Sequence, residues 1–171
     1  PIRVDRELMR RRWEALRDPA ALGELFSRLG LSRLQGLRLG GSRLAWRVDH
    51  GLVRLLLETM ADWILDVQIA VPNPAVTQVH EGPIYQVRDA GGWVEIQDED
   101  FCFRFREEAI AHAWVVRSHG RQGLVTTLEL FDVRERSVAR LAASSYGREA
   151  ADWRRIINAL PLIDAGREEG A

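Results

Sequence analysis

Hydrophobic residues in the first part of the chain recur with the spacing of an α-helix. Between residues 2 and 17 they fall at i, i+4 and i+7, at Met9, Trp13 and Leu16. Asp18 can accept hydrogen bonds from the first free amides of a second helix, and Pro19 fits its first position. The apolar stripe of that helix comprises Leu22, Leu25, Phe26 and Leu29. The pattern predicts two short helices before Gly30.

The pattern changes after residues 32–41, a connecting segment with the sequence SRLQGLRLGG. LAWRV, residues 44–48, is typical of a strand, and Asp49 can cap a helix with the apolar residues Leu52, Val53, Leu56 and Met60. From Ile64 onward the chain contains strand-like runs separated by Pro, Gly, Asp or charged turns, at 64–71, 77–81, 84–88, 93–97, 101–106, 111–118, 123–132 and 137–144. These runs predict an antiparallel sheet.

A last apolar stripe predicts a closing helix packed on that sheet, with Trp153, Ile156, Ile157 and Leu160 at i, i+3, i+4 and i+7. Helices, then strands in hairpin order, then a helix predict an α+β fold, with the helices against one face of an antiparallel sheet. The length of 171 residues fits a single domain, 1–171, and the chain contains no internal repeat or linker. Residues 164–171 are polar and are expected to form a frayed tail.

Composition narrows the classes of function. Hydrophobic residues make up 46% and charged residues 29% of the chain, and the formal net charge is -1. These values are typical of a soluble globular protein and do not indicate a nucleic-acid partner. The apolar runs are broken by charges well short of the roughly 18 residues that a membrane span needs, so no membrane insertion is expected. Cys102 is the single cysteine and no cleavable signal sequence precedes the first helix, which favours a reducing cytoplasm.

The sequence contains no lysine, so all 24 of its Lys and Arg residues are arginines. Each basic group is therefore a planar fork suited to two-point contacts with a carboxylate or phosphate. In FCFRFR, residues 101–106, the phenylalanines point to one face of a strand and the arginines to the other. The phenylalanine face is predicted to be core. Arg104 either lies on a solvated sheet face or projects into a cavity on the far side of the sheet.

Histidines are the candidate metal ligands, and the chain has four of them, His50, His80, His112 and His119. None stands at zinc-ligand spacing from a cysteine or carboxylate, so a mononuclear zinc site is not predicted. His80 ends a strand-like run and can be a core hydrogen-bonding residue, a metal ligand or a proton carrier. His119 lies in the turn SHGRQG. Without a nucleophile motif or a phosphate-binding loop, the residues by themselves indicate only a soluble α+β domain.

Several stretches together resemble the haem-utilisation proteins of the HmuS/HemS/ChuX type, the haemin-degrading factor family. RRWEALRDP and LSRLQGLRL are similar to the opening helices of the second of two tandem copies in the long members. VHEGPI, DEDFCFRFREEAIAHAWVVR, LVTTLELFD, and YGRE with WRRIINAL follow in the order and spacing of the family. The resemblance spans nearly the whole chain and implies the α+β fold of this family.

What the resemblance implies is a cytoplasmic haem-binding protein that either passes on imported iron porphyrin or takes part in its breakdown. Haem is a flat apolar ring with two propionates, so its site needs an apolar cleft, cationic side chains and an axial donor to iron. Arg104 falls where the first family copy has an arginine on the distal side of the haem. Arg117, Tyr146 and Arg148 fall in segments that line the same cleft, with Arg117 and Arg148 expected on the propionates.

The chain departs from the family at the axial ligand of the iron. The second family copy has its axial histidine early in the helix after the aspartate that matches Asp18, where this chain has Ala20 and Ala21. Neither alanine can bind iron. Three alternatives follow: haem binds weakly, the chain has lost haem, or the iron is ligated by another residue such as His80, His112, His119 or Tyr146.

The resemblance also bears on assembly and activity. A lone copy lacks the second half that completes the two-domain body of the family, so we expect a homodimer that pairs sheet surfaces about a two-fold axis. Non-enzymatic haem trafficking in iron acquisition is the first hypothesis. A haem-degrading or dechelating enzyme is the second hypothesis. It ranks lower because an iron that activates oxygen needs a dependable proximal donor, and the family's proximal histidine is replaced by alanine in this chain. A scaffold that kept the fold and lost the ligand is the third.

Overall fold

The computed structural model of the protein describes residues 4–72, 75–98, 100–144 and 151–163. The helices within these ranges are α1 Arg6–Ala15, α2 Ala21–Arg28, α3 Arg33–Gly40, α4 Val53–Asp62 and α5 Ala151–Asn158. The strands are β1 Ala45–Val48, β2 Asp66–Pro72, β3 Thr77–Pro83, β4 Val87–Ala90, β5 Trp93–Asp98, β6 Phe101–Arg106, β7 His112–Gly120, β8 Gly123–Phe131 and β9 Ser137–Ala143. The predicted helices are confirmed, and so are the strand-like runs, except that in the run 84–88 only Val87 and Arg88 belong to a strand. The predicted frayed tail, 164–171, lies outside the described residues.

The apolar pattern predicted residues 32–41 as a connecting segment, and this prediction is wrong, because they form α3. The family resemblance, which places LSRLQGLRL among the opening helices, agrees with the structure. Ser32 caps the helix: its hydroxyl accepts a hydrogen bond from the Gln35 amide, and the Gln35 side chain accepts one from the Ser32 amide. Gly36 and Gly40 lower the intrinsic helix propensity and obscure the pattern. In the fold they allow close packing, since a Cβ at Gly36 would lie 2.5 Å from the Phe26 ring.

The strands form two antiparallel sheets instead of the single sheet that was predicted. The larger sheet has the order β1-β7-β8-β9-β2-β3, and the smaller has the order β4-β5-β6. The alternation of FCFRFR matches a strand of the smaller sheet, which has one buried face and one exposed face. Phe103 and Phe105 are buried on its inner face, where they pack toward the larger sheet, while Arg104 points outward.

Two hydrophobic clusters cover the two faces of the larger sheet. One cluster joins that sheet to the smaller sheet, α4 and α5, and it includes Leu56, Val67, Phe103, Leu128 and Trp153. The other joins α1, α2 and α3 to β1, β7 and β8, and it includes Met9, Trp13, Phe26, Trp114 and Phe131. The α+β fold class is therefore confirmed. The helices were predicted on one face of the sheet, but they lie on both faces of the larger sheet, because the smaller sheet and α4 also need an apolar surface to pack against. Among the described residues, the helices are all too short or too polar to span a bilayer.

Candidate functional site

The C-terminal end of strand β7 brings two of the predicted site residues together. Arg117 and His119 are two residues apart on the strand, so their side chains point to the same face. They line one pocket with a volume of about 220 Å³, whose other lining residues are Glu14, Arg43, Leu44 and Leu124. We call this set the β7 pocket.

Arg117 is held on several sides. Its guanidinium lies 4.5 Å from the centre of the Trp46 ring, and Nη2 donates to Asn158 Oδ1 over 3.4 Å. Its backbone carbonyl accepts a hydrogen bond of 2.9 Å from Trp13 Nε1. The Nε atom is buried and has no hydrogen-bond partner among the residues that the structure describes. Arg117 is therefore a positioned cation with hydrogen-bonding capacity to spare.

His119 lies on the exposed end of the β7–β8 hairpin, opposite Leu124. This hairpin lies against the connection that leads into α2, since a Cβ at Gly120 would be 3.9 Å from Pro19 Cδ. Ala20 and Ala21, which stand in the region of the axial histidine of the family, follow directly in the chain. The backbone of the hairpin at Gly120 is thus close to the segment from which the expected imidazole is missing, while the side chain of His119, one residue earlier in β7, points to the opposite face of the strand.

The charges of the β7 pocket favour an anionic ligand. Arg117 and Arg43 contribute two cations, and Glu14 pairs with Arg43 at 3.5 Å. Arg43 is 88% exposed, so this ion pair is weak and the guanidinium can turn toward a ligand. Leu44 and Leu124 supply apolar contact. Guanidinium groups, leucines and an imidazole are the chemistry that an iron porphyrin with carboxylate groups requires.

Arg104 lies apart from the β7 pocket within one chain. Its side chain is 51% exposed on the outer face of the smaller sheet, where it lies 4.4 Å from the centre of the Trp93 ring and 4.0 Å from a Glu95 carboxylate oxygen. Arg106 covers the same indole at 5.0 Å. Of the two alternatives for Arg104, the structure therefore favours the solvated sheet face.

His80 is buried at 8% exposure on the inner side of β3, and its ring stacks on Phe101 with the centroids 4.6 Å apart. Its Nε2 atom is buried without a hydrogen-bond partner among the described residues. Phe101 covers this ring, and the imidazole is not accessible to a porphyrin in this structure. We therefore leave His80 out of the proposed site.

The remaining sequence candidates are Tyr146, Arg148 and His112. Tyr146 and Arg148 lie outside the described residues. His112 is half-buried at the start of β7, opposite Phe131 and at the other end of the strand from His119. Within the described parts of the chain, no group of three or more His, Cys, Asp and Glu side chains could hold a metal ion.

Sequence reasoning named Arg117 and His119 but missed the residues around them, which are the other pocket residues Glu14, Arg43, Leu44 and Leu124 and the contacts of Arg117, Trp46 and Asn158. Trp46 and Asn158 position Arg117, and Arg43 adds the second cation. Trp46 was predicted within a strand and Asn158 within a helix, but no spacing in the sequence relates either of them to Arg117. Only the alternation within β7, which places positions 117 and 119 on one face, could have been used in advance.

The comparisons with known proteins agree with this architecture. Residues 30–160 match the family model described as the haemin-degrading HemS.ChuX domain. The chain belongs to this family. Among its relatives, the hemin transport protein HmuS of Yersinia pestis is 31% identical over 156 residues, which cover 85% of this chain and 44% of that protein. The family expectation from the sequence is confirmed.

Solved structures of HemS/ChuX-domain proteins are similar over nearly the whole chain. Apo-PhuS, a heme-binding protein from Pseudomonas aeruginosa, has a TM-score of 0.88 and 29% identity, over 94% of this chain and 47% of its own. The heme degrading enzyme ChuS of Escherichia coli O157:H7 has a TM-score of 0.87 and 30% identity, over 93% of this chain and 48% of its own. This chain spans about half the length of these relatives.

Proposed function

We propose that this HemS/ChuX-domain protein binds haem and passes it on in haem utilisation, as part of iron acquisition. Family membership and the heme-binding relative PhuS support haem as the ligand. The observation that carries the proposal is that Arg117 and His119 line one pocket. The apolar ring would contact the leucines of the β7 pocket, and Arg117 and Arg43 would hold the propionates.

His119 is the axial ligand in this proposal. An imidazole must be neutral and accessible to bind iron, and His119 is exposed whereas His80 is buried. In the same hairpin, Gly120 lies close to Pro19, which directly precedes Ala20 and Ala21, where the family implies its own histidine. A histidine on the hairpin would thus replace a histidine on the helix.

Titration with haemin, followed in the Soret band, tests this proposal. We expect a saturable shift for the wild type and at least a tenfold loss of affinity for His119→Ala, because the iron loses its imidazole. Added free imidazole should restore the spectrum of the variant.

Arg121→Ala is the matched control, because Arg121 is exposed on the same hairpin and does not line the pocket. It should bind haemin like the wild type. If His119→Ala also binds like the wild type, with the same Soret maximum, the assignment of His119 fails. If the wild type gives no saturable shift, haem binding fails, and the ligand-free scaffold becomes the better account of the chain.

Haem degradation is the second candidate function, and the likeness to the heme degrading enzyme ChuS is the observation that favours it. We rank it second because oxygen chemistry at iron depends on a secure proximal donor, and here that donor would sit on an exposed hairpin. Conversion of the Soret band to a biliverdin spectrum, when the haem-loaded protein is given ascorbate, would reverse this order.

We further propose that the protein works in the cytoplasm as a homodimer. Cys102 is a free, exposed thiol, which suits a reducing compartment. The helices α1–α3 pack on β1, β7 and β8, while Val79 on the same face of the larger sheet is 55% exposed in β3. A second copy laid against this part of the sheet would cover Val79, and each chain would then supply what two tandem copies supply in the longer relatives.

A further inference from the structure

A groove between α4 and α5 lies on the other side of the larger sheet from α1, α2 and α3. Its two helices pack in the hydrophobic cluster that joins the larger sheet to the smaller one, whereas α2, which follows Ala20, packs in the cluster on the opposite face. The groove has a volume of about 280 Å³ and shares no lining residue with the β7 pocket. We call it the α4–α5 groove.

The walls of the groove follow from the sequence of the two helices. Residues three or four positions apart form one stripe along α4 and its caps, and this stripe comprises Leu52, Leu55, Thr59 and Trp63. Ile156 and Leu160, four residues apart, form the opposite wall. The most buried side chains of both helices pack toward the sheet instead, so Leu55 remains 57% and Trp63 48% exposed. The fold therefore leaves an apolar surface in the groove that a ligand can cover.

The end of α4 provides a second observation. The amides of Ile64 and Leu65 donate to the carbonyls of Ala61 and Met60 over 3.0 Å each, which is the helix ending in which glycine is usual at the position of Ile64. Ile64 has a φ of 50°, in the left-handed region that disfavours a β-branched residue, and its side chain is 60% exposed. The protein thus keeps an exposed apolar side chain next to Trp63 at a conformational cost, which is typical of functional positions.

Arg155 indicates the polar group of the ligand, because it is the charged residue among those described that line the groove. Its Nη1 atom lies 3.8 Å from Asp152 Oδ1, and the two side chains are 72% and 50% exposed, so this ion pair is weak. The guanidinium can therefore turn toward a ligand in the groove. Its paired donors match the two oxygens of a carboxylate.

We propose that the α4–α5 groove binds a medium-chain carboxylate, an acyl chain with a single acidic head group. The acyl chain covers Leu55 and Trp63, and the head group pairs with Arg155. Pockets for drug-sized ligands begin at about 300 Å³, so a groove of about 280 Å³ suits a short acyl chain better than a porphyrin. This proposal goes beyond haem binding and does not depend on it.

Calorimetric titration of the full chain with sodium octanoate, below its micelle concentration, tests the proposal. Arg155→Gln removes the cation but keeps a good helix former, and it should weaken octanoate binding about tenfold. Arg154→Gln is the matched control, since Arg154 is an exposed neighbour on α5 that does not line the groove, and it should stay within about twofold of the wild type. Octan-1-ol, which has no charge, should bind equally to the wild type and to Arg155→Gln.

Leu55→Glu tests the apolar wall. It places a carboxylate in the groove and should weaken octanoate binding by about tenfold or more, because the head group and the wall then repel each other and apolar contact is lost. Leu8→Glu is the control, since Leu8 is an exposed leucine on α1 that does not line the groove. It should bind octanoate like the wild type.

The absence of saturable octanoate binding to the wild type would overturn the proposal, as would wild-type affinity in Arg155→Gln or in Leu55→Glu. If circular dichroism shows that Leu55→Glu does not fold, Arg155→Gln decides the matter by itself. Octanoate should bind to His119→Ala as it does to the wild type, so failure of the haem proposal would leave this one standing. Displacement of octanoate by haemin would overturn the assignment of a separate site.

Discussion

Glu129 is a carboxylate at 2% exposure in β8, and two arginines hold it. Arg33, the first residue of α3, donates from Nη2 to Oε1 over 2.7 Å and from Nε to Oε2 over 3.2 Å. Arg140 on β9 donates from Nε to Oε1 over 2.8 Å. These bonds compensate the desolvation of the carboxylate and tie α3 to the larger sheet.

Replacing the Glu129 carboxylate by an amide, Glu129→Gln, should lower the free energy of unfolding by about 3 kcal/mol, because the two guanidinium groups lose their counter-charge. Urea unfolding followed by circular dichroism measures this change. The control is Glu135→Gln, which breaks the exposed ion pair with Arg38 and should change stability by less than about 1 kcal/mol. Equal losses in the two variants would contradict the role given to Glu129.

Asp132 organises the turn between β8 and β9. Its Oδ1 atom accepts hydrogen bonds of 2.9 Å from the amides of Arg134 and Arg136, and its Oδ2 atom accepts one of 2.8 Å from Arg136 Nε. The hydrogen bond from the Arg136 amide is the main cause of a lowered pKa for this carboxyl, and the Arg136 side chain adds to it.

Asp132→Ala should lower the free energy of unfolding by about 1–2 kcal/mol at pH 7, because backbone amides in the turn lose their acceptor. The pKa of Asp132 is about 3.9 in the unfolded chain and lower in the folded protein. The ionised carboxylate therefore stabilises the folded protein above about pH 3.9, and this contribution is lost as the pH falls through the folded-state pKa. The difference between wild type and variant should therefore shrink below about pH 4. Denaturant unfolding at pH 7 and at acid pH measures it, and a difference that grows in acid would contradict the assignment.

At the scale of elements, α3 depends on two glycines that bring it close to α1 and α2. A Cβ at Gly36 would lie 2.5 Å from ring atoms of Phe26, and one at Gly40 would lie 2.6 Å from the Trp13 ring. Both rings are fully buried, so neither can move aside without disturbing the second hydrophobic cluster. The glycines therefore serve packing at the expense of helix propensity.

Gly36→Ala should lower the free energy of unfolding by about 1–3 kcal/mol, since the added methyl group forces the Phe26 ring out of its place. Thermal unfolding by calorimetry measures the loss. Gly23→Ala is the matched control, because Gly23 is also helical and its nearest neighbour to an added Cβ is Arg33 Nη1 at 3.9 Å. That variant should be stabilised by about 0.5–1 kcal/mol. Destabilisation of both variants by the same amount would refute the packing argument.

At the scale of the whole molecule, the larger sheet is covered unevenly. Its inner face packs over its length on the smaller sheet, α4 and α5, whereas α1–α3 cover the other face only at β1, β7 and β8. Glu129 and Arg140 lie along the boundary of the covered part, and Val79 lies beyond it. The open part of this face, with Val79 on it, is where we place the contact with a second copy.

Size-exclusion chromatography with light scattering should give the mass of a dimer at micromolar concentration. Val79→Arg should shift the protein to the monomer, because it places a charge in the middle of the proposed contact. Val133→Arg is the control, since Val133 is 81% exposed in the β8–β9 turn, away from that face. A monomeric wild type would rule out the dimer, and a dimeric Val79→Arg would move the contact elsewhere.

Local sequence patterns were sufficient for most elements. The strand at 101–106 follows from strict alternation, and α1 and α2 follow from apolar residues three and four positions apart. The apolar pattern missed α3 because its two glycines are poor helix formers. Their role is visible only in the fold, where the rings of Phe26 and Trp13 pack directly against them. The division into two sheets was missed as well, because a strand's own residues do not specify which of several possible partners it pairs with.

The sequence by itself determined most of the elements, the family and the arginine chemistry available for an anionic ligand. All of these depend on residues that are close in the chain or on motifs in a set order. Tertiary structure alone decided that Arg117 and His119 meet Arg43 in one pocket, that His80 is buried against Phe101, and that Arg104 lies on another face. Such relations join residues far apart in the chain, and only the pairing of strands and the docking of helices establish those distances.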